Sequence, residues 1–189
     1  MANFLIAKNF TKDLEGGFWN DPSAGWTYAG ITKKYYPAWP GFRRLLQLQQ
    51  QVYKGGAIPR YKKFDDAELN KMVDDFYRTL HWGKYMKGDK INNQDISNFL
   101  YDFIVHKEND AIEVINKVAV QMEPGTYTEK TNLSSSIIAV INKYPRSFYL
   151  YIVAARLNYY ANSKKFSGGL KAAFKQRVNK FPKVLTNVL

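Results

Sequence analysis

The sequence predicts a mainly α-helical protein with a short β-hairpin near its N terminus. Two observations carry this. Apolar residues recur at three- and four-residue spacing along most of the chain, the period of a helix with one buried face. Residues 15–31 interrupt that period with five glycine or proline positions, which read as a long loop able to hold a hairpin within 16–31.

Taken in order, Phe4, Ala7, Phe10 and Leu14 mark a first helix ending near Glu15. Pro37 and Pro40 punctuate a turn. Phe42, Leu45, Leu46, Gln49 and Val52 mark a second helix, stopped by Gly55-Gly56 with Pro59 beyond. Asp65, followed three residues later by Glu68, resembles a capping box opening a helix with Leu69, Met72, Val73, Phe76 and Leu80 on one face. Gly83 and Gly88 frame the next connection. Ile96, Phe99, Leu100 and Phe103 form one apolar stripe; Ala111, Ile112, Ile115, Val118, Ala119 and Met122 form a second, closed by Pro124-Gly125. Thr131 or Asn132 is placed to cap a helix carrying Ile137, Ile138 and Ile141 that ends before Pro145. Two further helices fit about 146–161 and 168–180. A composition change near residue 90 divides the chain into halves, 1–90 and 91–189.

A chain of 189 residues with 46% hydrophobic residues has the means to bury a sizeable core. Aromatics are abundant, with 14 Tyr, 12 Phe and 4 Trp, enough for a core and for a surface that stacks on sugars. There is no cysteine, which excludes disulfides, thiolate zinc sites and a cysteine nucleophile. The net charge of +12 draws the surface to polyanions: nucleic acid, anionic membrane or a bacterial wall. Residues 1–20 lack a basic n-region and an unbroken apolar h-region, so no signal peptide is expected, and no apolar run is long enough for a membrane span.

The stretch Glu15-Gly16-Gly17-Phe18-Trp19-Asn20-Asp21-Pro22 concentrates the chemistry. Glu15 stands where a helix runs out into a glycine-loosened, aromatic-rich loop. A carboxylate at a helix C terminus is electrostatically disfavoured, which favours its protonated form. Shielding by Phe18, Trp19, Trp26 and Tyr28 acts in the same direction and suits a general acid. Asp21 and Thr27 are the nearest partners, one for charge and one for polarising a water. Each has a plain structural alternative: Asn-Asp-Pro is a turn sequence, and Thr27 fits a strand. Trp19, Trp26 and Tyr28 are candidates for sugar stacking or for the core. Tyr159 and Tyr160 face different ways on a helix, one to the core and one to a ligand. Arg156 is either the partner of a buried acid such as Asp102 or a contact for substrate carboxylates. His81 and His106 are isolated, so no metal site and no cofactor are expected.

These residues resemble glycoside hydrolase family 108, the lysozyme-like N-acetylmuramidases once called secretion activating proteins. That family opens with a pattern close to E-G-G-Y-x-N-D-P and then D-x-G-G-x-T-x-x-G-I-T. This chain reads Glu15 to Pro22 and then Gly25-Trp26-Thr27-Tyr28-Ala29-Gly30-Ile31-Thr32. Further on, Asp95-Ile96-Ser97 through His106 is similar to the start of the family's predicted peptidoglycan-binding half. Arg156-Leu157-Asn158-Tyr159-Tyr160 matches R-x-x-Y-Y, and Ala173 to Val178 is similar to a closing phrase.

The resemblance implies a lysozyme-like fold with two lobes around a substrate cleft, a catalytic lobe over 1–90 and a wall-binding lobe over 91–189. It implies hydrolysis of the β-1,4 bond between N-acetylmuramic acid and N-acetylglucosamine in peptidoglycan, with Glu15 as the acid. It also implies bacteriolytic action in a phage, prophage or secretion-linked setting: the protein is made in the cytoplasm and reaches the wall after release or export. The family's D-x-G-G segment is shortened here to Ser23-Ala24-Gly25, and Ala24 stands where the family has an Asp. The alternative is therefore a catalytically impaired peptidoglycan-binding protein. A nucleic-acid-binding role has only charge and aromatics behind it and no recognised motif, so no nucleic-acid partner is expected.

Overall fold

The computed structural model describes residues 1–11 and 16–185. It is mainly helical with one small antiparallel sheet, as the sequence predicts. The described elements are α1 (Phe4–Thr11), β1 (Trp19–Asp21), β2 (Gly25–Tyr28), β3 (Ile31–Thr32), α2 (Gly41–Tyr53), α3 (Ala67–Tyr77), α4 (Gln94–Met122), α5 (Ser135–Lys143), α6 (Pro145–Asn162) and α7 (Gly168–Val178). A π-helical segment, Arg78–Met86, and a 3-10 turn, Gly88–Lys90, lie between α3 and α4. Leu14 and Glu15, expected to close the first helix, lie outside the described residues. The chain divides into two compact units: Thr11–Thr79, and Met1–Phe10 with Leu80–Leu189.

The first unit holds the sheet, ordered β1-β2-β3. Its β2–β3 hairpin turns on two residues, Ala29 and Gly30, both at positive φ (47° and 77°). That geometry matches the right-handed twist of the flanking strands, and the Tyr77 hydroxyl donates to the Ala29 carbonyl oxygen (2.6 Å), tying down the strained alanine. Phe42, Leu45 and Leu48 form the buried stripe of α2. The cap of α3 is Asp66 rather than Asp65: Asp66 takes an extended backbone (φ −134°, ψ 111°) and accepts from the Leu69 N–H (2.8 Å). Arg44 of α2 decides between the two acids, gripping Asp66 with Nε and a terminal nitrogen (3.1 and 2.7 Å).

The second unit is helical. Gly83, expected in a connection, lies inside the π-helical segment, which is anchored on either side by buried Trp82 and Met86. The two apolar stripes expected after residue 90 belong to one run, α4, with non-helical backbone at Lys107 and Glu108. Its buried residues, Ile96 to Ile104 and then Ala111 to Ala119, form the middle of the unit together with Ile137, Ile141, Phe148, Tyr149 and Ile152 of α5 and α6. Ser134, not Thr131 or Asn132, caps α5. Its hydroxyl accepts from the Ile137 N–H (3.2 Å) and donates to the Tyr127 carbonyl oxygen (2.5 Å), so a loop contact selects the start.

Asp102 of α4 organises the far end of this unit. Arg156 of α6 donates to it at 2.5 Å, and Arg177 of α7 holds both carboxylate oxygens at 2.8–3.0 Å. Burial works to raise the Asp102 pKa, but the two guanidiniums, Arg156 foremost, outweigh it and hold the carboxyl below its ordinary value. The Arg156 guanidinium also lies over the rings of Phe99 and Phe103 (5.0 and 4.6 Å).

Candidate active site on the sheet

Glu15 itself lies outside the described residues; the segment that follows it is well defined by its neighbours. Gly17 runs against the backbone of residues 61–62. A Cβ at Gly17 would stand 2.3 Å from the Tyr61 carbonyl oxygen and 2.6 Å from that of Lys62, which leaves room for glycine alone. A Cβ at Gly16, by contrast, would meet nothing within 4 Å among the described residues. The Phe18 N–H donates to the Lys62 carbonyl oxygen (2.8 Å), and the Tyr61 N–H donates to the Phe18 carbonyl oxygen (2.7 Å). The second glycine of the signature is thus required by a backbone-to-backbone seam.

The strand register sorts the remaining candidates by face. Trp19 pairs with Thr27, and Thr27 with Thr32, so these side chains project from one side of the sheet. Asp21, two residues beyond Trp19, joins them. The contacts agree: the Trp19 indole N–H donates to Asp21 Oδ2 (3.3 Å), and the Thr27 hydroxyl donates to the Thr32 hydroxyl (3.1 Å). Asn20, Trp26, Tyr28 and Ile31 take the opposite side. There Phe18 meets Trp26 edge-on at 5.2 Å. Tyr28 is buried, and its hydroxyl accepts from the Phe64 N–H (3.1 Å). The sheet therefore brings Trp19, Asp21 and Thr27 together and turns Trp26 and Tyr28 away from them.

Asp21 also organises the hairpin loop. Its Oδ1 accepts from the Ser23 N–H (2.7 Å), the Ser23 hydroxyl (2.7 Å) and the Ala24 N–H (3.0 Å). These bonds, the Ser23 hydroxyl first, lower its pKa to about 2. Asp21 is therefore a fixed negative charge at any ordinary pH and is unsuited to donating a proton. Its geometry includes the turn role that Asn-Asp-Pro suggests.

Two residues that sequence reasoning missed stand beside this face. The Arg60 guanidinium carbon lies 3.8 Å from the centroid of the Trp19 ring and 4.6 Å from that of Tyr61. Their signal in the sequence is the run Arg60-Tyr61-Lys62-Lys63 straight after Pro59, exposed and without periodicity.

Arg156 and Tyr159 belong to the helical unit. Arg156 is fully buried in its pairing with Asp102, the alternative in which it partners a buried acid. Tyr160 is core; its hydroxyl accepts from Arg156 Nε (3.0 Å) and meets His106 Nδ1 (2.8 Å). Tyr159 is half-buried, and its hydroxyl donates to Asp110 (2.5 Å) at the edge of a groove of about 730 Å³ lined by Glu113, Asn116, Lys117 and Lys130. Among the described residues no group of three His, Asp or Glu side chains is placed to hold a metal ion. No helix among them is long and apolar enough to cross a membrane.

The family model described as Glycosyl hydrolase 108 matches residues 9–107, which take in the Glu15–Pro22 signature, the whole sheet, α2, α3 and the first arm of α4 up to the break at Lys107. No curated protein matches the chain. Since that match covers more than half of the 189 residues, the protein belongs to the Glycosyl hydrolase 108 family and is a glycoside hydrolase.

Proposed function

We propose that the protein is a peptidoglycan N-acetylmuramidase that cleaves the β-1,4 bond between N-acetylmuramic acid and N-acetylglucosamine. The observation that carries this reading is the convergence of Trp19, Asp21 and Thr27 on one sheet face, directly after the Glu15-Gly16-Gly17 signature and within the family match. In the proposed reaction Glu15 is the general acid. It protonates the glycosidic oxygen as the bond to the departing sugar breaks. Positive charge then develops at the anomeric carbon, and the permanently ionised Asp21 stabilises it. Thr27 polarises the attacking water. Trp19, on the face of Asp21 and Thr27, supplies the aromatic contact to the glycan, with Tyr28 supporting the sheet from its buried side.

In this reading catalysis belongs to residues 1–90, and residues 91–189 grip the wall, with Arg156 holding that half together. The net charge of +12 keeps the enzyme near an anionic wall polymer, an attraction that weakens with salt. The protein acts on the wall after release or export.

A second reading has its own observation. Asp21 already accepts four hydrogen bonds, three of them within its own turn, and Ala24 stands where the family carries an acid. A peptidoglycan-binding protein with impaired catalysis fits that arrangement. Digestion of purified peptidoglycan with mass analysis of the released muropeptides separates the two. Products ending in reducing muramic acid support the muramidase; products ending in reducing glucosamine contradict the assigned bond. Wall binding without any products supports the second reading.

A further inference from the structure

We propose that Arg60, whose guanidinium lies over the rings of Trp19 and Tyr61, is an anion-recognition residue that takes the paired oxygens of a carboxylate or phosphate group on the wall polymer. The proposal rests on the glycan-hydrolase reading and names the chemistry that the substrate must carry beside the sheet.

Four observations support it. The first is the stacking: the guanidinium carbon is 3.8 Å from one ring centroid and 4.6 Å from the other. Stacking engages the flat faces of the guanidinium and leaves its N–H edge for in-plane acceptors, the geometry that matches a two-oxygen anion. Second, that edge is open. Among the described residues no acid pairs with Arg60 and no acceptor meets its side chain, although Arg44 and Lys71 of the same unit do pair, with Asp66 and Asp75. Lys62 and Lys63 stand beside it in the chain, likewise without an ion pair among the described residues, so three basic side chains cluster here unpaired.

Third, the backbone that carries both side chains is fixed: Tyr61, at φ 64°, is the third residue of a turn closed by the Lys62 N–H on the Pro59 carbonyl oxygen (3.1 Å), and the residue remains 63% exposed. Fourth, the same Tyr61 and Lys62 backbone forms the seam with Gly17 and Phe18, which ties this turn to the signature that begins at Glu15. An arginine ordered in advance by two rings loses less freedom when it binds than a free lysine does, so the arrangement favours a specific anion over diffuse attraction.

The test compares the full-length wild type with Arg60→Ala and Arg60→Lys, by co-sedimentation and by reducing-end release. Three wall preparations are used: native wall, wall stripped of phosphate polymers with hydrofluoric acid, and stripped wall with its carboxylates amidated. Arg60 is exposed, so unchanged thermal melts are expected and confirm that the variants fold. On native wall Arg60→Ala is expected to bind about tenfold more weakly, the scale of a charge-assisted pair, and Arg60→Lys nearly as weakly despite its equal charge. A penalty that disappears on stripped wall identifies phosphate as the ligand. One that persists there and disappears on amidated wall identifies carboxylate. Variants that bind native wall like the wild type overturn the proposal, as does a penalty that survives amidation or full rescue by lysine. Binding is read without turnover, so a wild type that sediments but releases no reducing ends removes the muramidase reading and leaves Arg60 to be judged by sedimentation alone.

Discussion

Asp21 and Asp102 are both aspartates saturated with donors, and they differ in where those donors come from. Asp21 is met by an indole N–H two residues before it and by Ser23 and Ala24 just after it. Asp102 is met by Arg156 and Arg177, 54 and 75 residues further along the chain. The first arrangement is a local turn that fixes a negative charge at the surface. The second is a tertiary clamp that joins α4, α6 and α7. A turn needs only a few consecutive residues to form, so its loss stays local. A buried clamp leaves uncompensated charge when any member is removed.

Among single substitutions the largest effect is therefore expected at the clamp. Asp102→Ala strands two guanidiniums, one of them fully buried, and is expected to cost about 3–5 kcal/mol in urea unfolding. A loss below about 1 kcal/mol would reduce the clamp to the status of a surface pair. Next comes the seam beside the sheet. Gly17→Ala forces a Cβ against the Tyr61 carbonyl oxygen and is expected to destabilise by about 1–3 kcal/mol, while Gly16→Ala stays within about 0.5 kcal/mol. Equal melting temperatures for the two variants would contradict the seam.

Acidification gives a smaller effect per unit of pH, and it acts on the helical unit. Burial lowers His81 to about 4 and, helped by Arg177, His106 to about 3, from an ordinary value of 6.5. Both stay neutral in the folded protein while the unfolded chain takes up protons. Their stabilisation is thus complete above pH 6.5 and is lost as pH falls towards 4 and then 3. Each imidazole contributes up to about 1.4 kcal/mol per pH unit across that window. A melting temperature that stays level from pH 7 to pH 4.5 would argue against buried neutral imidazoles. The smallest effect on stability belongs to Asp21→Asn, which keeps the Oδ1 acceptor of the turn and loses the charge and the long acceptor contact to the Trp19 indole. Its melting temperature is expected to stay close to that of the wild type, and a large drop would show that the carboxylate holds the hairpin rather than serving chemistry.

How much was legible in the sequence follows the same division between local and long-range causes. The helical stripes and the hairpin were legible because periodicity and glycine-proline placement are local. The pairing of Arg156 with Asp102 was one of two options, since an arginine on an apolar helix face needs an acid somewhere. Asp65 and Asp66 look alike in sequence, and only Arg44 on another helix selects the second as the cap. Trp19 and Tyr28 both looked suited to a sugar; a strand register pinned by two short turns sends one to the face of Asp21 and the other into the core. Arg60 and Tyr61 offered only an exposed basic run without periodicity, because their placement depends on a contact with Trp19 some forty residues earlier.

The proposed muramidase reaction turns on Glu15 as its general acid. Reducing-end release from purified peptidoglycan by the wild type and by Glu15→Gln tests it most directly. The account predicts turnover by the wild type and a fall of about 10²- to 10⁴-fold in the variant, with wall binding unchanged. Turnover that survives Glu15→Gln, or a wild type that binds wall and releases nothing, would contradict it.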